Sequence, residues 1–279
     1  MEIRILGPLS VLTRDGRDVP LGGPKPRTVL AALLLAGECT VPDARLERLL
    51  WNGQAPPTAQ AQLYTYVSRL RNALAPDVRL LRQRPGYRIR TGAARLDADE
   101  FARKAGLGRA ELKRGKPVEA LRQLDAALAL WRGPALADVA EPLRLAESPR
   151  LAELRMSALE DRIDARLALD APAQVLPELT GAVTRYPLRE KLRAQLMLAL
   201  CQDGRQADAL DVYHRGRALL DQRLGVAPGP LLRETYQWIL MGGNQPAPQA
   251  SGSRRPAVPG CGRATNARGR RPSLAGAAD

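Results

Sequence analysis

One histidine, three cysteines and ten aromatic side chains are all that the 279-residue chain contains of these types, and each scarcity removes a class of answer. His214, in Ala-Leu-Asp-Val-Tyr-His-Arg, has no companions for the His-rich constellations of many metal and acid–base sites, and its setting reads as the polar side of a helix. Cys39, Cys201 and Cys261 are far apart, odd in number and without C-x-x-C spacing, so neither a disulfide framework nor a zinc module is expected. Aromatics make up only 4% of the chain, so its cores must be built mainly from Leu, Ala and Val, which favours helices. No apolar run approaches the length of a bilayer span, and Met-Glu-Ile-Arg lacks the cationic start and apolar core of a signal peptide; a cytoplasmic protein without membrane contact is expected. Catalytic motifs are also missing. Gly108 and Gly115-Lys116 do not have P-loop intervals, Pro117 stands where the hydroxyl should be, and neither G-x-G-x-x-G after a strand nor H-E-x-x-H occurs. The expectation is a protein that is not an enzyme and takes no cofactor or metal.

What the chain does have is positive charge, unevenly placed. The formal net charge is +14; residues 1–92 carry 14 basic and 7 acidic side chains, residues 93–241 carry 23 and 21, and residues 242–279 carry 6 and 1. The length suits about two domains, each with its own core. A basic N-terminal part beside a balanced middle points to a polyanionic partner, with nucleic acid favoured because no hydrophobic amphipathic anchor accompanies the charge.

The most informative stretch is 58–74. Leu63, Val67, Leu70 and Leu74 follow the rhythm of one helical face. The opposite face carries Ala61, Thr65, Ser68, Arg69 and Asn72, flanked by Gln62 and Arg71, and holds no acid. Small residues allow close approach, and Gln, Asn, Thr and Arg can read base edges or grip phosphates. A merely solvated face is the plain alternative, and context decides between the two. Upstream, Ile3–Leu6, Leu9–Thr13 and Val19–Leu21 alternate like strands of a small antiparallel sheet, punctuated by Gly7-Pro8 and Asp15-Gly16. Gly22-Gly-Pro-Lys-Pro-Arg27 leads into a helix that Gly37 closes; Lys25 and Arg27 at its start make either a phosphate seat or a plain turn. A second helix starts in Val41–Trp51. After the 58–74 helix, Val78–Arg84 and Tyr87–Arg90 flank Pro85-Gly86, the central pair of a type II turn, which puts Arg82, Arg84 and Arg88 near a hairpin tip. Sheet, three helices and a basic hairpin is the order of an OmpR-like winged helix-turn-helix, in which the third helix enters the major groove and the hairpin reaches backbone or minor groove.

From Leu96 to about Leu240 the pattern is almost wholly helical. A turn recurs at Gly115, Asp170 and Gly204, each five residues before a small or β-branched residue and six before a leucine. Asp170 and Gly204 stand 34 apart, the period of tetratricopeptide (TPR) hairpins. Gly115 to Asp170 is 55, which implies an insertion, placed in the irregular stretch 135–149. The fold expected is mainly α: an N-terminal α+β winged helix-turn-helix over residues 1–92, an all-α TPR-like domain over 93–241, and a basic tail over 242–279. The tail is too poor in apolar residues to order, and its arginines either add nonspecific DNA attraction or only solubilise.

Ile-Leu-Gly-Pro-Leu (5–9), Leu-Gly-Gly-Pro-Lys (21–25), Leu-Leu-Trp (49–51), Tyr-Val-Ser-Arg-Leu-Arg (66–71) and Arg-Pro-Gly-Tyr (84–87) resemble the Streptomyces antibiotic regulatory protein (SARP) family. Leu-Trp-Arg-Gly-Pro-Ala-Leu (130–136), Ala-Leu-Glu-Asp-Arg (158–162), the run from Tyr186 to Leu200 and Leu-Gly-Val-Ala-Pro-Gly (224–229) resemble the bacterial transcriptional activation domain of the same proteins. The resemblance departs at Pro42, at Asp170-Ala-Pro172 and at Cys201. It implies a sequence-specific, DNA-binding transcriptional activator of a secondary-metabolite (antibiotic) gene cluster. Such a protein binds promoter direct repeats as two copies and recruits RNA polymerase through its sigma and alpha subunits. On this reading Gln62, Thr65, Arg69 and Asn72 probe bases, while Lys25, Arg27, Thr58, Ser68, Arg71, Arg82, Arg84 and Arg88 hold phosphates or form the wing. The alternative is a TPR-like protein-interaction adaptor with a basic accessory domain.

Overall fold

The computed structural model describes residues 1–242; the basic tail expected from the sequence lies outside the described residues, apart from Gly242. A first sheet has the strand order β2-β1-β6, with β1 Glu2–Arg4 antiparallel to β2 Ser10–Leu12 and parallel to β6 Arg95–Leu96. This corrects the expectation for Val19–Leu21, which forms no strand. The Asp15-Gly16 turn does bring the chain back, through a Leu12–Asp18 bridge and the Val19 N–H on the Val11 carbonyl at 2.9 Å, but Pro20 has no N–H to extend the ladder. The third strand comes instead from residues 95–96, so the sheet is mixed and ties the first residues to the start of the helical region.

Helix α1 spans Pro24–Ala36, with its prolines in the first turn and Gly37 at its C-terminal end in a positive-φ conformation. Val41–Pro42 is an edge strand, β3, where the sequence suggested helix; α2 follows as Asp43–Trp51 and α3 as Ala59–Leu74. On α3 the residues Leu63, Val67, Leu70 and Leu74 are buried, which is the predicted stripe, and Ala59 joins them. The hairpin β4 Arg79–Gln83 and β5 Gly86–Arg90 joins β3 in the order β3-β5-β4. Its register pairs Gln83 with Gly86, so the loop residues are Arg84 and Pro85, one position earlier than the expected Pro85-Gly86, and the Arg84–Pro85 peptide is cis. Sheets, three helices and wing make up the winged-helix half.

The helical region consists of α4 Asp97–Lys113, α5 Pro117–Leu128, α6 Glu141–Ala168, α7 Pro172–Arg185, α8 Glu190–Gln202, α9 Gln206–Leu224 and α10 Pro230–Leu240. The three recurring turn anchors all sit at the corners between paired helices with positive φ, 71° at Gly115, 53° at Asp170 and 77° at Gly204. That conformation costs glycine nothing and aspartate little, which is why these residue types mark the corners. The insertion is shorter than expected. Residues 129–140 are non-helical, but Pro149 lies inside the 28-residue α6. Proline removes one helical hydrogen bond there, on the stretch of α6 where Leu145, four residues earlier, is exposed.

One hydrophobic core runs from Ile3 to Ala165 and so joins the winged-helix half to α4, α5 and one side of α6. A second core, from Met156 to Ile239, is enclosed by α6 to α10, with Tyr213 stacked on Tyr236 at 4.0 Å. Helix α6 is the wall common to both. The stretch 129–140 acts as a strut against the first strand: the Arg132 and Leu136 N–H groups donate to the Leu6 and Ile5 carbonyls at 2.8 and 3.1 Å. The Ala140 N–H donates to Thr28 Oγ1 at 2.7 Å, and Asp138 accepts from the Leu9 N–H at 2.7 Å. At the head of α4 the buried Asp97 carboxylate accepts from the Ile5 and Leu6 N–H groups at 2.8 and 3.0 Å.

The seam where α6 meets the start of α8, with α4 alongside, is ionic. Arg189 donates to Glu153 at 2.7 and 2.8 Å and to Glu160, Arg109 donates to Asp161 at 2.7 Å, and Lys191 lies 3.1 Å from Asp164. The Arg189 guanidinium holds the Glu153 carboxyl below the ordinary glutamate value of 4.5. A carboxylate depressed on folding contributes stability that is present above that ordinary value and lost as the pH falls through the folded-state value. Glu153→Gln is therefore expected to cost stability at pH 7, by less than about 1 kcal/mol because the pair is largely exposed. The cost should shrink below the ordinary glutamate value and vanish once the pH has fallen through the depressed folded-state value, where the wild-type glutamate is protonated as well. Urea midpoints of both proteins across that range check this, and a difference that persists unchanged in acid would show that the ion pair is not its source.

Candidate nucleic-acid interface

The packing of α3 decides which side chains it offers to a partner. Its buried stripe seats it on α1, α2 and β4, so the face centred on Ala61 and Asn72 turns outward, and Ala61, Tyr64, Thr65, Arg69 and Asn72 are all exposed while Ser68 is half-buried. Thr65 Oγ1 donates to the Ala61 carbonyl one turn back at 2.9 Å, which leaves its methyl and an oxygen lone pair outward. Among the described residues Arg69 has no carboxylate partner, and the helix contains no acid. Gln62 is placed differently from the base-probing role expected of it. It lies on the flank, half-buried, with its Nε2 donating to Thr58 Oγ1 at 2.9 Å and its Oε1 accepting from the Tyr66 hydroxyl at 3.1 Å. Both ends of its amide, and the Thr58 hydroxyl, are thus engaged along one edge of the helix.

The arginines expected to hold phosphates divide into free and engaged. Arg84 at the hairpin tip is exposed with no ion partner among the described residues. Arg82 lies 4.6 Å over the Tyr87 ring and makes a two-pronged pair with Asp43 at 2.6 and 2.6 Å, and that carboxylate raises the guanidinium's already high pKa. Arg88 leaves the tip altogether and donates to Glu38 at 3.0 Å from the other face of β5. Arg71 donates through Nε to the Leu80 carbonyl at 2.7 Å and so ties α3 to the wing.

At the start of α1 the expected phosphate seat is only half present. Lys25 lies 4.9 Å over the Trp51 ring, half-exposed. Arg27 is a correction: it pairs with Asp138 of the strut and donates to the Gly22 and Leu9 carbonyls at 2.9 and 3.3 Å, because the strut brings a carboxylate that local sequence does not show. Two further cations join this surface. Arg45 and Arg48 are exposed on α2, one turn apart and opposite Leu46 and Leu50; their spacing on an amphipathic helix was the available signal.

The structure therefore gathers Thr65, Arg69, Asn72 and Ser68 on one outward face, with Arg84 on the adjoining hairpin and Arg45 and Arg48 on the neighbouring helix. It holds Arg27 and Arg88 away. Elsewhere, no described helix is long and apolar enough to cross a membrane.

The chain as a whole is similar to known proteins. The family described as bacterial transcriptional activator domain matches residues 96–240. Regulatory protein AfsR of Streptomyces coelicolor is 42% identical over 86% of this chain, which spans 24% of AfsR. Transcriptional regulatory protein MoaR1 of Mycobacterium tuberculosis is 37% identical, with 86% of this chain and 79% of MoaR1 covered. Among solved structures, Mycobacterium tuberculosis EmbR in complex with a low-affinity phosphopeptide superimposes with a TM-score of 0.79 at 33% identity, over 86% of this chain and 65% of EmbR. The chain thus matches only about a quarter of AfsR and under two thirds of EmbR, but most of MoaR1. It belongs to the Streptomyces antibiotic regulatory protein family of transcriptional regulators, with a bacterial transcriptional activator domain behind a winged helix-turn-helix.

Proposed function

We propose that the chain is a sequence-specific transcriptional activator in the cytoplasm that reads double-stranded promoter DNA through α3. The observation that carries this reading is the outward, acid-free face of α3, where Thr65, Arg69 and Asn72 are exposed and Arg69 has no carboxylate partner among the described residues. A ridge of small and polar side chains fits a major groove, and Arg69 has the fork geometry for a guanine edge. Arg84, with Arg45 and Arg48, would hold phosphates on either side of that groove, and Arg82 would follow if phosphate displaces Asp43. The helical region would supply contacts to RNA polymerase sigma and alpha subunits, two copies would occupy direct repeats, and the genes controlled would form an antibiotic biosynthetic cluster, in line with family membership.

The test uses the full chain, because its first core is not confined to residues 1–92. Duplexes selected from a random pool by the protein should compete for it far better than bulk DNA. Arg69→Ala should then cost on the order of 1–3 kcal/mol on the selected duplex and clearly less on random DNA. Equal losses on both would make Arg69 a phosphate contact. Absence of saturable binding would favour the protein-interaction adaptor.

A further inference from the structure

Of the ten aromatic side chains, only Tyr64, at 63%, and Tyr186, at 39%, are exposed. Tyr186 has the Arg185 guanidinium 5.6 Å over its ring. Tyr64 has no ring or cation against it among the described residues, although it projects from a helix whose outward face otherwise carries Ala61, Thr65, Ser68, Arg69 and Asn72. Leaving such a ring in water forgoes the gain that burial would bring, so the position is one where a partner can supply what the fold does not.

Helical geometry fixes where it would lie. At 100° per residue Tyr64 stands roughly 70° to one side of the outward centre at Ala61 and Asn72, and Arg69 stands roughly 70° to the other. Tyr64 shares its flank with Arg71, whose bond to the Leu80 carbonyl marks it as the side toward the wing. Ala61 and Ser68, one turn either way, are short enough to let the helix seat closely. A ring at this place offers apolar contact where the face otherwise offers hydrogen bonds, and the apolar feature of a major groove is the C5-methyl of thymine.

We propose that Tyr64 is a specificity-determining contact that packs its ring against a thymine methyl. The inference rests on α3 being the recognition helix. It is tested with the full chain and the variants Tyr64→Ala and Tyr64→Phe, each used to select duplexes from a random pool. The wild type and Tyr64→Phe should share a thymine preference at one position that Tyr64→Ala loses. Replacing that thymine by deoxyuridine, which removes only the methyl, should weaken wild-type binding roughly fourfold, the worth of one buried methyl-sized group, and leave Tyr64→Ala unaffected. If Tyr64→Ala retains the same thymine preference and the same deoxyuridine sensitivity, the assignment to Tyr64 is overturned while DNA reading by α3 stands. If the wild type selects no motif at all, both fall together.

Discussion

Asp97→Ala is expected to cost the folded chain about 2–5 kcal/mol, because it strands two buried N–H groups at once, each worth about 1–3 kcal/mol when left without an acceptor. The carboxylate reaches across from the head of α4 to the Ile5 and Leu6 N–H groups at 2.8 and 3.0 Å, in a setting where the side chain is 3% exposed and water cannot take its place. Asp97→Asn should fall between alanine and wild type, since one amide oxygen can still accept while the NH2 faces the second N–H. The loss should reach both halves together, because the core from Ile3 to Ala165 is continuous across them. Urea unfolding followed by far-UV circular dichroism gives the measurement. A shift worth less than about 1 kcal/mol would mean that this clamp does not hold the two halves.

The second large effect is expected at Gly86. A Cβ there would lie 1.9 Å from the Val41 carbonyl oxygen and 2.6 Å from the Pro42 Cα, and both atoms belong to the backbone of β3, which has no flexible end to move aside. Gly86→Ala must therefore part β5 from β3 or tilt the wing, with an expected loss of about 1–3 kcal/mol. Because Asp43 follows β3 directly and holds Arg82, the displacement should also loosen that arginine. Amide exchange should speed up over residues 41–43 and 82–88 more than on α3. Unchanged exchange and stability would show that the hairpin absorbs a methyl group without moving. If the wing holds phosphates as proposed, DNA affinity should fall further than the stability loss alone accounts for.

Much of this architecture was legible from the chain. The apolar spacing on α3 located its buried stripe, and a glycine or aspartate at 115, 170 and 204 located three helix corners, since both are short-range consequences of backbone preference. The wing is legible as a hairpin, but local turn chemistry puts its turn one residue later than the structure does. Pro85-Gly86 fits a type II turn locally, whereas Gly86 is wanted for its lack of a side chain beneath β3, a reason that lies 44 residues away. Arg27 shows a similar cause: its local setting fits either a phosphate seat or a plain turn, and its carboxylate partner comes from residue 138. The stretches carrying the family resemblance prove to be ones that meet. Residues 5–9 bond to the strut of 130–136, and residues 158–162 face the run from 186 to 200.

By itself the sequence determined the helical content, the order of the three N-terminal helices and the hairpin, the basic character of the first part and the acid-free face of α3, because periodicity and charge are properties of neighbours along the chain. Only the tertiary structure decided that the third strand comes from residues 95–96, that the two halves share one core, and which arginines remain available. An arginine and a carboxylate more than a hundred residues apart neutralise each other only once folding has placed them side by side, and no local pattern encodes that meeting.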